Sequence, residues 1–270
     1  MKYPHVYPRS TFVNFLCLLI LLIAAFGSII FHMQGHEAFG QDCTPTPPGL
    51  VSWWTGNGDA NDHSGANHGT VQNGAVFAKG YVDQAFLLDG IDDFVNIPDS
   101  SNLDIVNAIT IDAWIKPSKG GVTILDKTGF GDSANYRFFL GLADARMDGR
   151  LGFWNGSQHV LATNSIPTNQ FSHVAMTLLN TDGADSSSGT LKIYINGDLD
   201  SSHSIEFGPA NDGPLRIGSD IIGRHFEGII DELELFNREL SQSEIQSIYN
   251  AGPIGKCPPI IGFFGPLEMP

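Results

Sequence analysis

Basic residues are scarce: 14 Lys and Arg stand against 29 Asp and Glu, a formal charge of −15. A surface of that sign repels a polyanion, so nucleic acid is not expected as a partner. The acidic excess also serves plain solubility. None of the nine histidines falls into the paired spacing of a zinc helix, and there is no Walker loop and no Gly-x-Ser-x-Gly elbow. Those absences leave phosphoryl transfer and elbow-type nucleophilic chemistry without a foothold. Charged residues make up only 16% of the chain and hydrophobic ones 42%, enough to pack a core and without the signature of disorder over most of its length. Cysteine is rare, three in all.

What is there begins with a leader. Lys2 and Arg9 precede an apolar run from Phe12 to Phe31, and Ala38-Phe39-Gly40 follows. A charged start, an apolar centre and small residues read as an export signal cut before Gln41. The run is also long enough to cross a bilayer of about 30 Å as a helix, so an uncleaved anchor is the alternative. On both readings residues 1–40 form a hydrophobic leader helix, and the folded part is secreted or at the cell surface. Membrane contact is then limited to an uncleaved leader. Cys17 belongs to the leader. Cys43 and Cys257 sit just outside the two ends of the patterned region, where a disulfide between them is expected; two free thiols are the alternative.

Thr44-Pro45-Thr46-Pro47-Pro48 is a stiff, extended stretch, so residues 41–48 read as a linker. From Gly49 onward short runs of period-2 or continuous apolar character recur, fourteen in all, separated by turn residues. They are Leu50 to Trp54, Ala75 to Phe77, Ala85 to Leu88, Phe94 to Ile97, Ile109 to Ile115, Val122 to Asp126, Tyr136 to Leu142 and Arg150 to Trp154, then His159 to Thr163, Phe171 to Leu179, Thr190 to Ile195, Leu199 to Ser204, Pro214 to Ile217 and Ile229 to Phe236. Asn196-Gly197 between two of them predicts a type I′ hairpin. Thr181 to Gly189 reads as a long loop. Ser241-Gln-Ser-Glu244 is a capping box that opens a short helix stopping at Gly252-Pro253. Residues 49–252 therefore read as one all-β domain, with 253–270 as a tail: the stub of a following domain, or a segment packed back through Phe263 and Phe264.

Successive blocks carry a resemblance. Leu50-Val-Ser-Trp-Trp54, Asn61-Asp-His-Ser-Gly65, Asn67-His-Gly69, Phe86 to Val95, Ile109 to Ile115, Phe171-Ser-His-Val-Ala175, Leu191 to Gly197, Leu215-Arg-Ile-Gly218 and Ile230-Asp-Glu-Leu resemble, in order, the laminin G-like, concanavalin A-like jelly-roll domain of exported bacterial proteins. Phe171 departs from the family's usual Trp, one buried aromatic for another. The resemblance implies a sandwich of two antiparallel sheets. It also implies a structural calcium, held by Asp62 and Asp231 with the Gly65 carbonyl as a further ligand. On the residues alone, Asp62 can equally cap its own turn and Asp231 bind loop amides.

The same fold hosts glycoside hydrolases, which need two carboxyl groups at a set separation. Glu227-Gly-Ile-Ile-Asp-Glu-Leu-Glu234 does not reproduce the Glu-x-Asp-x-x-Glu spacing of those enzymes, and strict alternation would turn Asp231 away from Glu232 and Glu234. No catalytic residues are expected. Sugar-binding sandwiches present aromatic rings beside amide side chains, and Trp154-Asn155 at a strand end is the matching pair; core placement of Trp154 is the bland alternative. The expectation is a non-catalytic extracellular module that recognises a glycan or a glycosylated surface. Its alternative is a spacer or interaction domain that meets another surface protein.

Overall fold

The computed structural model describes residues 43–129, 131, 134–141, 148–181 and 188–258. The leader expected over 1–40, most of the loop between Thr181 and Gly189, and the tail beyond 258 lie outside the described residues.

Fifteen strands are described, in two antiparallel sheets. The first sheet takes β1 (Leu50–Trp54), β3 (Val76–Lys79), β4 (Gln84–Asp89), β6 (Ala108–Pro117), β11 (Ser172–Asn180), β12 (Ser188–Ile195), β13 (Asp198–Glu206) and β15 (Glu227–Phe236). Its order is β13-β12-β11-β6-β15-β4-β3, with β1 also on β15. The second takes β2 (Thr70–Gln72), β5 (Phe94–Ile97), β7 (Val122–Thr128), β8 (Ala134–Leu140), β9 (Arg150–Trp154), β10 (His159–Ser165) and β14 (Leu215–Ile217), in the order β10-β9-β8-β7-β14-β5-β2. All fourteen expected strands are present, and β2 is the addition. Two of its three residues are exposed, so it carries no apolar pattern and exists through pairing with β5.

The alternation read from the sequence faces the sheets onto one core. Val95 and Ile97 of β5, Leu215 and Ile217 of β14, and Tyr136 and Phe138 of β8 point inward with Phe86, Ile111 and Leu233 of the other sheet. Burying one such side chain contributes about 1.5–3 kcal/mol. Between β12 and β13 the turn is the expected one, with Asn196 at φ 53° and Gly197 at φ 83°, the left-handed conformation that a type I′ turn demands.

A second, smaller apolar layer lies on the outer face of the first sheet. Helix α1 (Gln242–Asn250) lays Ile245 and Ile248 there with Leu240, Ala175, Tyr194 and Phe236. Its capping box is formed as expected: Ser241 accepts the Glu244 amide and Glu244 accepts the Ser241 amide at 2.8 Å. The flanks of residues 49–252 also make contacts. Thr44 pairs with Lys256 in an isolated bridge, the Thr46 hydroxyl donates to the Cys257 carbonyl at 2.7 Å, and Cys43 and Cys257 form the expected disulfide with Cα atoms 5.0 Å apart. The two flanks are thus joined to each other as far as Cys257.

Two measurements check this architecture. Reducing the disulfide, or Cys257→Ser, should lower stability in denaturant unfolding by at most about 5 kcal/mol, the chain-entropy value for so long a loop. The Arg238 guanidinium, hydrogen-bonded to Glu244, holds that carboxyl down to about 2. A depressed carboxylate stabilises above its unfolded value and loses that contribution as pH falls through the folded one. Acid titration of the wild type should therefore show a loss between about pH 4 and 2 that Glu244→Gln lacks.

Candidate functional site

Asp62 is buried in the turn after β1. Its Oδ1 accepts the amides of Trp53 and Ser64, both at 2.9 Å, and the Ser64 hydroxyl at 3.0 Å; Oδ2 accepts the Asn67 amide at 3.1 Å. Gly65 sits against this carboxylate, where a Cβ would fall 2.8 Å from Oδ2. Asp231 is elsewhere in the network: Oδ2 accepts the amides of Tyr81 at 2.8 Å and Val82 at 2.9 Å, while Oδ1 is buried without a hydrogen-bond partner. The residues expected to share a calcium hold separate sets of backbone amides and have no hydrogen-bond partner in common. Four donors converge on Asp62.

The acidic run on β15 also differs from strict alternation. Glu232 has φ 52°, and a bulge separates Asp231 from Glu234. Asp231 pairs with Trp114 and Glu234 with Asp112, which share one face of β6, so Asp231 and Glu234 lie on one face rather than opposite ones. Lys256, 7% exposed, inserts its ammonium there, 3.2 Å from Glu232 and 3.5 Å from Glu234. Burial works against that ammonium, and Glu234, Glu232 and Asp112 outweigh it and raise its pKa. Burial likewise raises Glu232 and Glu234 and pushes Asp231 up to about 8 against the Val82 amide. His173 adds Nε2 at 3.4 Å from Asp112. Lys256 is the ammonium of this buried acidic cluster and joins the chain end to the first sheet.

The outer face of the second sheet is different. Direct cross-strand partners run Thr70, Asn96, Arg216, Asp126, Arg137, Trp154 and His159, one residue from each of its seven strands. Opposed residues share a face, and six steps of about 4.8 Å make this row about 29 Å long. Its centre is rigid and buried, with Asp126 0% and Arg137 4% exposed. The Arg137 side chain donates from Nε to Asp126 at 2.7 Å and from Nη2 to Thr128 at 3.1 Å, with Nη1 3.5 Å from Asp220. The same guanidinium lies 4.4 Å from the centre of the Trp154 ring, a cation–π contact that fixes the ring. Burial raises the Asp126 pKa, with Arg137 opposing it. Trp154 is half-buried. Its neighbour Gly152 is required, because a Cβ there would lie 2.4 Å from the Phe139 ring.

Asn155 does not join this face. It is 3% exposed, its Nδ2 donates to the Glu206 carbonyl, and its Oδ1 accepts the amides of Ser157 and Gln158. That commitment to its own turn corrects its expected place in a binding pair. Arg137, Asp126 and Arg216 went unread in the sequence because only cross-strand register aligns them with Trp154.

Two clefts of about 500 Å³ each open on the described surface. One lies over the first sheet beside α1, and its charges are spent on each other: Lys192 on Glu239 at 2.8 Å and Arg238 on Glu244. The other opens beside the polar row and is lined by Thr128, Gly129, Gly213, Pro214, Arg216 and Ile221 among others. Lys127 fixes its wall by donating to the carbonyls of Asn211 at 2.6 Å and Gly213 at 2.8 Å.

With this geometry in hand, comparison with known proteins gives the class: the chain belongs to the concanavalin A-like lectin/glucanases superfamily, whose family model matches residues 89–246. Among solved structures it is similar to domain 4 of AbnA, a GH43 extracellular arabinanase from Geobacillus stearothermophilus, in complex with arabinotriose. That match has 21% identity and a TM-score of 0.57 over 73% of this chain and 96% of that one. The binding domain of Paraclostridial Mosquitocidal Protein 1 aligns at 18% identity and a TM-score of 0.53, over 68% of this chain and 47% of that one. Trypanosoma rangeli sialidase aligns at 16% identity and a TM-score of 0.56, over 88% of this chain and 39% of that one. At these identities the likeness is one of fold. No curated protein matches the sequence.

A folded-state pKa near 8 for Asp231 means that its contribution to stability is complete below about pH 4 and is lost as pH rises toward 8. Denaturant unfolding at a series of pH values should show that decline, and Asp231→Asn should flatten it. Repeating the series in excess calcium and in excess chelator separates proton from metal: a midpoint raised by calcium, and no longer raised in Asp231→Asn, would assign the cation to this position.

Proposed function

We propose that the chain is a non-catalytic extracellular carbohydrate-binding module that meets its glycan at the accessible side chains on the outer face of its second sheet. The observation that carries this reading is the half-buried Trp154 ring, set in a row of seven cross-strand partners and backed by the buried Asp126 and Arg137. Trp154 supplies a half-exposed ring for the apolar face of a sugar, and Arg137 holds that ring in place before any ligand arrives, which lowers the ordering cost of binding. Arg137 is a positioning residue in this scheme; Trp154, Arg216, Asn96 and His159 are the ones that reach the ligand. An extracellular setting fits the superfamily and the Cys43–Cys257 disulfide, and export through the 1–40 leader is part of the same proposal. That an AbnA domain of this fold was solved with arabinotriose supports sugar recognition by the architecture and leaves the identity of the sugar open.

The acidic groups support binding over hydrolysis. Asp126 and Asp220 are both held on Arg137, and Glu232 and Glu234 on Lys256. Calcium at Asp62 and Asp231 is not required by this reading, since Lys256 already supplies a positive charge that ties the last strand to the chain end. The spacer alternative calls for a broad flat patch or none, where a glycan binder exposes an aromatic ring such as Trp154. Among the described residues the exposed large hydrophobics, such as Ile91, Val106, Leu199, Ile222 and Ile254, are spread over separate loops and strand edges, with only Val76 and Leu87 directly paired.

Affinity electrophoresis against a panel of neutral and acidic polysaccharides tests the assignment. At least one polymer should retard the protein, Trp154→Ala should weaken that binding about tenfold, and no reducing ends should be released. Retardation by none of them would favour the spacer alternative, and release of reducing ends would point to hydrolysis.

A further inference from the structure

We propose that the cleft beside Arg216 is a subsite for the carboxylate of an acidic sugar unit, an inference that rests on the sheet-face reading above. Arg216 stands in the polar row between Asn96 and Asp126, its guanidinium 6.0 Å from the centre of the Phe94 ring. Among the described residues it makes no ion pair and no side-chain hydrogen bond, and its Nη1 is buried without a partner. Every other cation near the row is compensated: Arg137 by Asp126 and Asp220, Arg224 by Asp220, and Lys127 by Asp99 and Asp104. In a chain with 29 acidic residues, one half-buried guanidinium left unpaired is an unmet electrostatic demand.

The cleft gives that demand a shape. Gly129, Gly213, Pro214 and Ile221 line it with small or apolar surface, and Asp212, its one acidic side chain, is exposed. Low-dielectric walls strengthen the attraction between Arg216 and an entering anion. A planar carboxylate matches the parallel N–H donors of a guanidinium, whereas a hydroxyl leaves the charge uncompensated. Because the protein as a whole is acidic, its overall field does not gather polyanions, so selectivity has to come from contact at Arg216.

The test compares polygalacturonate, its fully methyl-esterified form and dextran sulfate as ligands for the wild type, Arg216→Gln, Arg216→Lys and Trp154→Ala, by titration calorimetry. The wild type should bind free polygalacturonate at least about tenfold more tightly than the ester. Arg216→Gln should erase that preference, and Arg216→Lys, with the charge but not the fork, should retain only part of it. The esterified ligand removes the carboxylate without touching the protein, so a folding defect in a variant cannot mimic the result. Equal binding of both forms, no binding of either, or a preference that survives Arg216→Gln would overturn the proposal. Arg216-dependent binding of dextran sulfate as tight as that of polygalacturonate would overturn the assignment to a carboxylate. If Trp154→Ala leaves binding to every polymer unchanged, it is the sheet-face reading that fails.

Discussion

Hydrogen bonding along β15 is the constraint from which the other arrangements follow. One side of this strand pairs with β6 almost throughout; the other pairs first with β4, over Glu227 to Ile230, and then with β1, over Leu233 to Phe236. The partner changes at the bulge, where Glu232 takes its positive φ and Asp231 turns its carboxylate to the amides of Tyr81 and Val82. Those two amides belong to the turn that joins β3 to β4, so Asp231 satisfies donors that the change of partner would otherwise leave unpaired. The residue that resembles a family calcium ligand thus has a backbone role that needs no metal.

The same bulge gathers Asp112, Glu232 and Glu234 where Lys256 can reach them, and the disulfide keeps Lys256 beside them. A buried ion cluster of this kind is poor evidence of net stability, because desolvation consumes much of the Coulomb gain. Its effect is specificity: a Lys at 256 neutralises the carboxylates only when the chain end lies along Thr44 and the outer face of the first sheet is closed by α1. One face of the sandwich is therefore spent on holding the two chain ends together. On the outer face of the second sheet the buried Asp126 and Arg137 back the half-buried Trp154, and the unpaired Arg216 stands in the same row.

Local chemistry wrote much of this into the sequence. Period-2 apolar patterning located fourteen of the fifteen described strands, Asn196-Gly197 set a turn, Ser241 and Glu244 set a cap, and Cys43 and Cys257 set a disulfide, because each depends on residues close in the chain or on the ends of one pattern. Trp154 was legible too, as an aromatic at a strand end. Tertiary structure decided the rest. Thr70–Gln72 became a strand only through its partner, Asp231 and Glu234 came onto one face only through a bulge, and Asn155 left the candidate site because Glu206 and its own turn claimed it. The site itself is a cross-strand object: Asn96, Arg216, Asp126, Arg137 and Trp154 span almost sixty positions from Asn96 to Trp154, with Arg216 from beyond them, and are neighbours only in register. Alternation along a strand tells which face a residue occupies, but the sequence carries no local signal for which strand lies beside it, and that pairing is fixed only when the two sheets close on their core.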